Sequence, residues 1–181
     1  MKNTNSTVTT PSILELVSTI VIPAITGKFV AKEKFVINTK DNAPVKIFYL
    51  DEGFTDLFLE GGGKIEDPIG EQTLRYYKLR QSLVDGQIIT ELGGEAKAEI
   101  TLSEMFSLME KYGEKSDFLK NDWNLFYIKD VAGVLQTVFM YWTCLGQSIH
   151  AGYRYKWNEG IQVFSRNSVP AYNSFGTGVP F

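Results

Sequence analysis

The chain is poor in the residues that do covalent and metal chemistry. It has one histidine and one cysteine in 181 residues. A lone Cys144 excludes an internal disulfide framework, so packing alone must hold the fold, and a reducing compartment such as the cytoplasm is favoured. One His and one Cys cannot build a tetrahedral zinc site without several carboxylates. No metal, cofactor or catalytic residue is therefore expected. Long charge runs of one sign are also missing, which argues against a nucleic-acid arm or an acidic tail. The charge is only locally uneven. Residues 28–46 carry five Lys against Glu33 and Asp41, while 51–71 carry seven acids against Lys64 alone. No apolar run is long enough to span a bilayer, so a membrane is not an expected partner. The run from Ile13 to Ile25 superficially resembles a secretion signal, but Glu15 interrupts it and no small-x-small cleavage site follows.

What is present is a globular composition, 44% apolar and 22% charged, suited to one ordinary domain. Residues 1–10 are polar and without period. Ser12 and Glu15 then stand at the spacing of a capping box, and Ile13, Leu14, Leu16, Val17, Ile20 and Val21 make an apolar face. These predict an amphipathic helix over 12–22 ended by Pro23. Residues 28–38 and 45–50 read as a hairpin around the KDNAP turn. Phe54, Leu57 and Phe58 suggest a short helix, 73–79 a strand, and Ile88, Ile89 and Leu92 a turn or two of helix. The firmest element follows Thr101. Thr101 with Glu104 forms a capping box, Leu102, Met105, Phe106 and Met109 recur at helical spacing, and Gly113 supplies the stop, predicting a helix over 102–112.

Beyond Trp123 the pattern changes to period two. WNLFYIK and VLQTVFMYW flank the turn DVAG, and SIHAGYRYKW and IQVFS follow as further strands. Short connections imply antiparallel pairing. The expected fold class is α+β, an antiparallel sheet with a C-terminal meander and two to four short helices packed on one face. Residues 1–27 read as a polar arm and helix, 28–168 as one domain, and 169–181 as a loose tail.

Three local patterns invite chemistry and fall short of it. Gly61-Gly62-Gly63-Lys64 lacks the fixed glycine spacing and the following Ser/Thr of a phosphate loop, and acids surround it. The acidic stretch from Asp51 to Glu71 lacks the alternate-position ligands of a calcium loop. Cys144 and His150 flank a turn, but nothing nearby would lower the thiol pKa or orient the imidazole.

The stronger lead is aromatic. Thirteen of the 24 aromatic residues lie in the last 59 positions. In SIHAGYRYKW the residues Ile149, Ala151, Tyr153, Tyr155 and Trp157 share one side of an ideal strand, and His150, Gly152, Arg154 and Lys156 the other. A row of this kind is ordinarily core. Left partly exposed, with Tyr141 or Trp142 from the neighbouring strand, it would form a platform for sugars, bases or a peptide. The candidate binding surface is therefore Tyr141, Trp142, Tyr153, Arg154, Tyr155 and Trp157.

The stretches KFVAKEKFVINT, ITELGGEAKAEITLSEMF, NLFYIKDVAGVL and WNEGIQVFSRNS resemble a family of small uncharacterised proteins from candidate-phyla bacteria with very small genomes. The likeness runs from about Lys28 to Ser168. It implies one recurring unit over 28–168 with 1–27 added on, and it carries over no active or binding residue. LGQSIHAGYRYK departs from the Gly-Trp-containing segment of that family.

The reading is of a non-enzymatic binding or assembly module acting through the aromatic sheet and the N-terminal helix, with a protein partner or a second copy as its target. Two alternatives stay open. One is single-stranded nucleic-acid binding, against which the rings and the bases Arg154 and Lys156 face opposite ways on an ideal strand. The other is a hydrolase built on a pair of carboxylates.

Overall fold

A computed structural model describes residues 12–120, 123–154 and 156–166. The strands are β1 (Leu14–Ile22), β2 (Phe29–Val30), β3 (Ile47–Leu50), β4 (Ile65–Glu66), β5 (Gln72–Leu79), β6 (Glu99–Ile100), β7 (Asn124–Lys129), β8 (Leu135–Thr143), β9 (Gly146–Ala151) and β10 (Gln162–Arg166). The helices are α1 (Ala31–Lys34), α2 (Glu52–Phe54), which runs on into a π-helical turn at Thr55–Leu59, α3 (Asp85–Glu91), α4 (Glu95–Ala98), α5 (Leu102–Tyr112) and α6 (Asp117–Lys120).

The fold is α+β, built on an eight-stranded, mostly antiparallel sheet. Its order is β1-β5-β10-β7-β8-β9-β3, with β6 also pairing with β7. The β2–β4 ladder stands apart. β7, β8 and β9 form an antiparallel meander. β10 does not extend it. The chain after β9 crosses the sheet and inserts β10 between β5, antiparallel, and β7, parallel.

The N-terminal segment overturns the expected helix over 12–22. β1 is a strand paired antiparallel with β5 from Leu14↔Leu79 to Ile22↔Gln72, with a bulge between Leu16 and Ser18. Val17, Thr19, Ile20, Val21 and Ile22 are β-branched, and a strand edge accommodates them better than a helix does. Ser12 is no helix cap. Its hydroxyl accepts from Leu14 N at 3.2 Å and donates to Glu91 at 2.5 Å. Residues 14–22 are thus an edge of the main sheet rather than an appended helix. The expected hairpin over 28–50 survives only as one antiparallel bridge, Asn38↔Ile47, across the KDNAP turn. Residues 31–34 turn helical, and β3 pairs parallel with β9.

The helices cover both faces, not one. On one side Phe126, Ile128, Val138, Met140, Ile149 and Phe164 pack against Leu102, Met105, Phe106 and Met109 of α5, with Phe35, Phe54 and Phe58. On the other, Leu125, Tyr127, Phe139 and Val163 pack against Ile88 of α3, Ala98 of α4 and Trp157. α5 forms as its local signals require. Thr101 Oγ1 accepts from Glu104 N at 3.1 Å, and the Glu104 carboxylate accepts from Thr101 N at 2.7 Å. The predicted DVAG turn is closed by Asp130, whose carboxylate accepts from Ala132 N and Val134 N, both at 2.9 Å. Burial alone would raise the Asp130 pKa; these bonds and one from Gln136 outweigh it and hold the group below the usual carboxylate range.

Candidate functional site

Register sets the aromatic site. In the β8–β9 pair Phe139 faces His150 and Tyr141 faces Ser148. All four side chains stand on the side of the sheet opposite α5, because neighbours along a strand alternate. Trp123, just before β7, completes the group. Its ring is parallel to Phe139 (centroids 5.6 Å, 3°) and to Tyr141 (4.7 Å, 15°). The His150 imidazole is likewise parallel to Phe139 (4.9 Å, 6°) and to Tyr141 (5.4 Å, 12°). Tyr49 of β3, 45% exposed, leans on the imidazole at 5.5 Å.

His150 is fixed at both nitrogens. Nδ1 lies 3.1 Å from Asp51 Oδ2, and Nε2 lies 2.9 Å from Ser148 Oγ. With the proton on Nδ1, the imidazole donates to the carboxylate and accepts from the hydroxyl. Asp51 is itself anchored, since Oδ1 caps α2 by accepting from Phe54 N at 2.7 Å and also takes Ala151 N at 3.2 Å. The close approach of α2 to β9 requires Gly53, where a Cβ would stand 2.3 Å from the Ala151 carbonyl oxygen. The order of groups is that of a serine hydrolase relay. Ser148, however, is only 3% exposed, so no substrate reaches its hydroxyl while β8 and β9 are paired. The relay here is a clamp joining β3, α2 and β9. Asp51→Ala is expected to lower stability by about 2 kcal/mol, through loss of the cap and of the histidine's partner. Asp51→Asn, which keeps an acceptor for Phe54 N, should cost less than half of that. Urea unfolding of the two variants measures the difference.

The strand ends at Ala151, and Gly152 (φ 125°) turns the chain off the sheet. This breaks the expected alternation over 149–157. Ile149 and Ala151 do face the α5 side, but Arg154 swings onto the rings. Its guanidinium carbon lies 4.6 Å from the Trp123 centroid, 5.0 Å from Phe139 and 5.6 Å from Trp157. Tyr153 is 80% exposed, Tyr141 half-buried, and Tyr155 lies outside the described residues. Trp157, expected on the binding surface, is fully buried and donates from Nε1 to Asp85 at 2.7 Å, so it is a core anchor. Trp142 is on the opposite side of the sheet, half-buried, with Lys120 Nζ 5.6 Å from its ring. A cleft of about 280 Å³ opens beside Trp123 and Arg154, with Lys156, Asn158 and Ile161 in its walls.

Cys144 is exposed, and both His150 nitrogens are taken by other groups. Lys64 points its ammonium at the Lys129 carbonyl and lies 3.8 Å from Glu66, and burial holds its pKa below the ordinary lysine value. Glu66 accepts from Leu102 N and Ser103 N at the start of α5, at 3.0 and 2.8 Å, so it is structural. Among the described residues no group of three or more His, Cys, Asp or Glu is placed to hold a metal ion. No helix among them is long and apolar enough to cross a membrane. Sequence reasoning missed Trp123, Phe139, Asp51 and Ser148. The Asp51–His150 contact spans 99 residues and has no local signature.

Comparison with protein-family models, with curated proteins and with solved structures finds no match for this chain.

Proposed function

We propose that this chain is a non-enzymatic binding and assembly module, with contacts at the aromatic face and at β1, the edge strand among the described residues. The observation that supports this most is the commitment of His150. It is stacked against two rings and bonded at both nitrogens, so this imidazole is held as part of the fold and is not free to move protons. What the same face offers to water is Tyr49 and the Arg154 guanidinium on Trp123, with the 80% exposed Tyr153 next to Arg154 in the chain. Tyr, Trp and Arg are the side chains that dominate protein contact hot spots. Panning a random-peptide display library on the intact protein and on a Tyr153→Ala/Arg154→Ala variant tests the face. Sequences enriched only on the intact protein are expected; equal enrichment on both would remove the face from the proposal.

The assembly half rests on β1 in place of the helix. This nine-residue edge strand leaves Leu16, Val17 and Val21 between 43 and 51% exposed. An edge strand presents unpaired backbone donors and acceptors, and a second copy pairing antiparallel would satisfy them symmetrically. Light scattering should give a dimer mass for the full chain and a monomer mass for Val21→Lys. A monomer mass for both would end the self-association reading.

A second reading has one observation in its favour. Gly152 turns Arg154 onto the ring side, and Lys156 joins Trp123 in one cleft, which lifts the geometric objection to single-stranded nucleic acid. Quenching of tryptophan emission by oligothymidylate that disappears with added salt and in Arg154→Ala would establish it.

A further inference from the structure

A groove opens on the α5 side of the sheet, where the chain leaves β1. One wall is residues 23–29, and the other is the C-terminal half of α5 from Phe106 to Lys111, with Lys34 of α1 between them. The first wall is held at Ile25, whose backbone N–H and C=O exchange bonds of 2.8 and 3.0 Å with Ile69. The floor is aromatic. Phe29 and Phe106 are both buried, and their ring centroids are 5.8 Å apart. Pro23 and Ile25 extend the apolar surface along the first wall. The volume, about 510 Å³, lies within the usual range of small-molecule sites.

The charge around the groove selects the ligand. Lys28, Lys34 and Lys111 line it against Glu110 alone, so three cations less one carboxylate leave a net charge of +2. The whole chain carries −3, which makes this positive excess a local feature. None of the three ammoniums forms an ion pair among the described residues. Lys34 Nζ stands 5.9 Å from the Phe106 centroid, which sets a positive charge beside the apolar floor. Lys111 Nζ donates to the Val21 carbonyl oxygen at 3.2 Å, which fixes a second charge at the end nearest β1. A cationic guest would be repelled, and a wholly polar anion would leave the rings uncovered. We propose that this groove binds an amphiphilic carboxylate, an apolar chain ending in a single anionic head, with the chain on Phe29 and Phe106 and the head beside Lys34. Lysine ammoniums act as point charges, so the head needs no planar, two-pronged geometry.

The test is a titration of the ¹⁵N-labelled full chain with hexanoate, octanoate and decanoate. Acetate supplies the head without a tail, and octylammonium a tail with the opposite charge. The backbone amides of residues 24–29 and 106–111 should shift saturably with the longer carboxylates and stay unmoved with both controls. Each methylene added over the floor should tighten binding about twofold to fourfold, the upper value being full burial. Lys28→Gln/Lys34→Gln alters two exposed side chains and leaves the core intact. It should weaken decanoate binding about threefold to tenfold and reduce its sensitivity to salt. Ser107→Phe, which fills the groove from α5 without removing a core side chain, should abolish binding. Several results would overturn the proposal: no saturable shift with decanoate, an affinity indifferent to chain length, equal shifts with octylammonium, or binding unchanged in both variants. Binding to phosphatidylglycerol vesicles without any response to decanoate would make the groove a membrane contact and would overturn it equally. The aromatic face lies across the sheet, so Tyr153→Ala/Arg154→Ala should bind decanoate normally, and neither proposal depends on the other.

Discussion

Replacing Trp157 by alanine should destabilise the protein by about 3–5 kcal/mol, the range for removing a large buried aromatic. The indole is fully buried and meets Phe139 edge-on at 5.3 Å and 68°. It also secures the crossing between β9 and β10, because Trp157 and Leu83 exchange backbone bonds of 2.7 and 3.0 Å. Beneath it Asp85 accepts three side-chain bonds, from Trp157 Nε1 at 2.7 Å, Tyr127 Oη at 2.9 Å and Thr137 Oγ1 at 3.1 Å. Trp157→Phe keeps most of the packing and loses one bond to a carboxylate, so it should cost about 1–3 kcal/mol. Denaturant unfolding of both variants gives the comparison, and a loss below about 1 kcal/mol for Trp157→Ala would contradict the anchoring role. The same cluster has an alkaline signature. Burial, then the Asp85 charge and hydrogen bond, push the Tyr127 hydroxyl well above its ordinary value of 10.0. With the folded pKa raised, the unfolded chain loses its proton first. This contribution is complete below pH 10 and falls as pH rises beyond it.

Arg166→Ala should cost about 3 kcal/mol by a different route. Glu104 is entirely buried in the first turn of α5, and the Arg166 guanidinium reaches it from β10 with bonds of 3.2 and 3.1 Å. Without the arginine, the partners the carboxylate keeps among the described residues are Thr101 N and Thr101 Oγ1, in a low-dielectric setting. Stranding one half of a buried pair is more damaging than removing both. The Glu104→Met/Arg166→Met double variant should therefore lose less than the sum of its single variants, with a coupling above about 1 kcal/mol. Additive losses would show that solvent at Arg166, whose side chain is 30% exposed, already screens the pair.

What the sequence made legible was local. α5 could be read because cap, apolar spacing and terminal glycine all fall within its own thirteen residues, 101–113. The β7–β8 hairpin could be read because Asp130 closes its turn on groups two and four residues away. β1 could not. Its apolar residues fit a helical face as well as a strand, and only pairing with β5, fifty or more residues distant, decides between them. The candidate site divides the same way. Alternation placed Ile149 and Ala151 correctly and failed at Gly152, where a positive φ ends the strand and sends Trp157 inward and Arg154 onto the rings. Tyr141 was singled out as a candidate, whereas the rings it stacks with or beside, Trp123, Phe139 and His150, gather only through strand register.

The position of β10 also constrains how the protein is made. It is the latest of the described strands, yet it is the ribbon through which the β1–β5 pair reaches β7 and the strands beyond. As the chain leaves the ribosome, two half-sheets must wait with open flanks until residues 162–166 arrive to join them. Such long-range closure slows folding and favours aggregation in the interval. A message truncated before codon 162 should therefore yield insoluble product rather than a smaller folded protein.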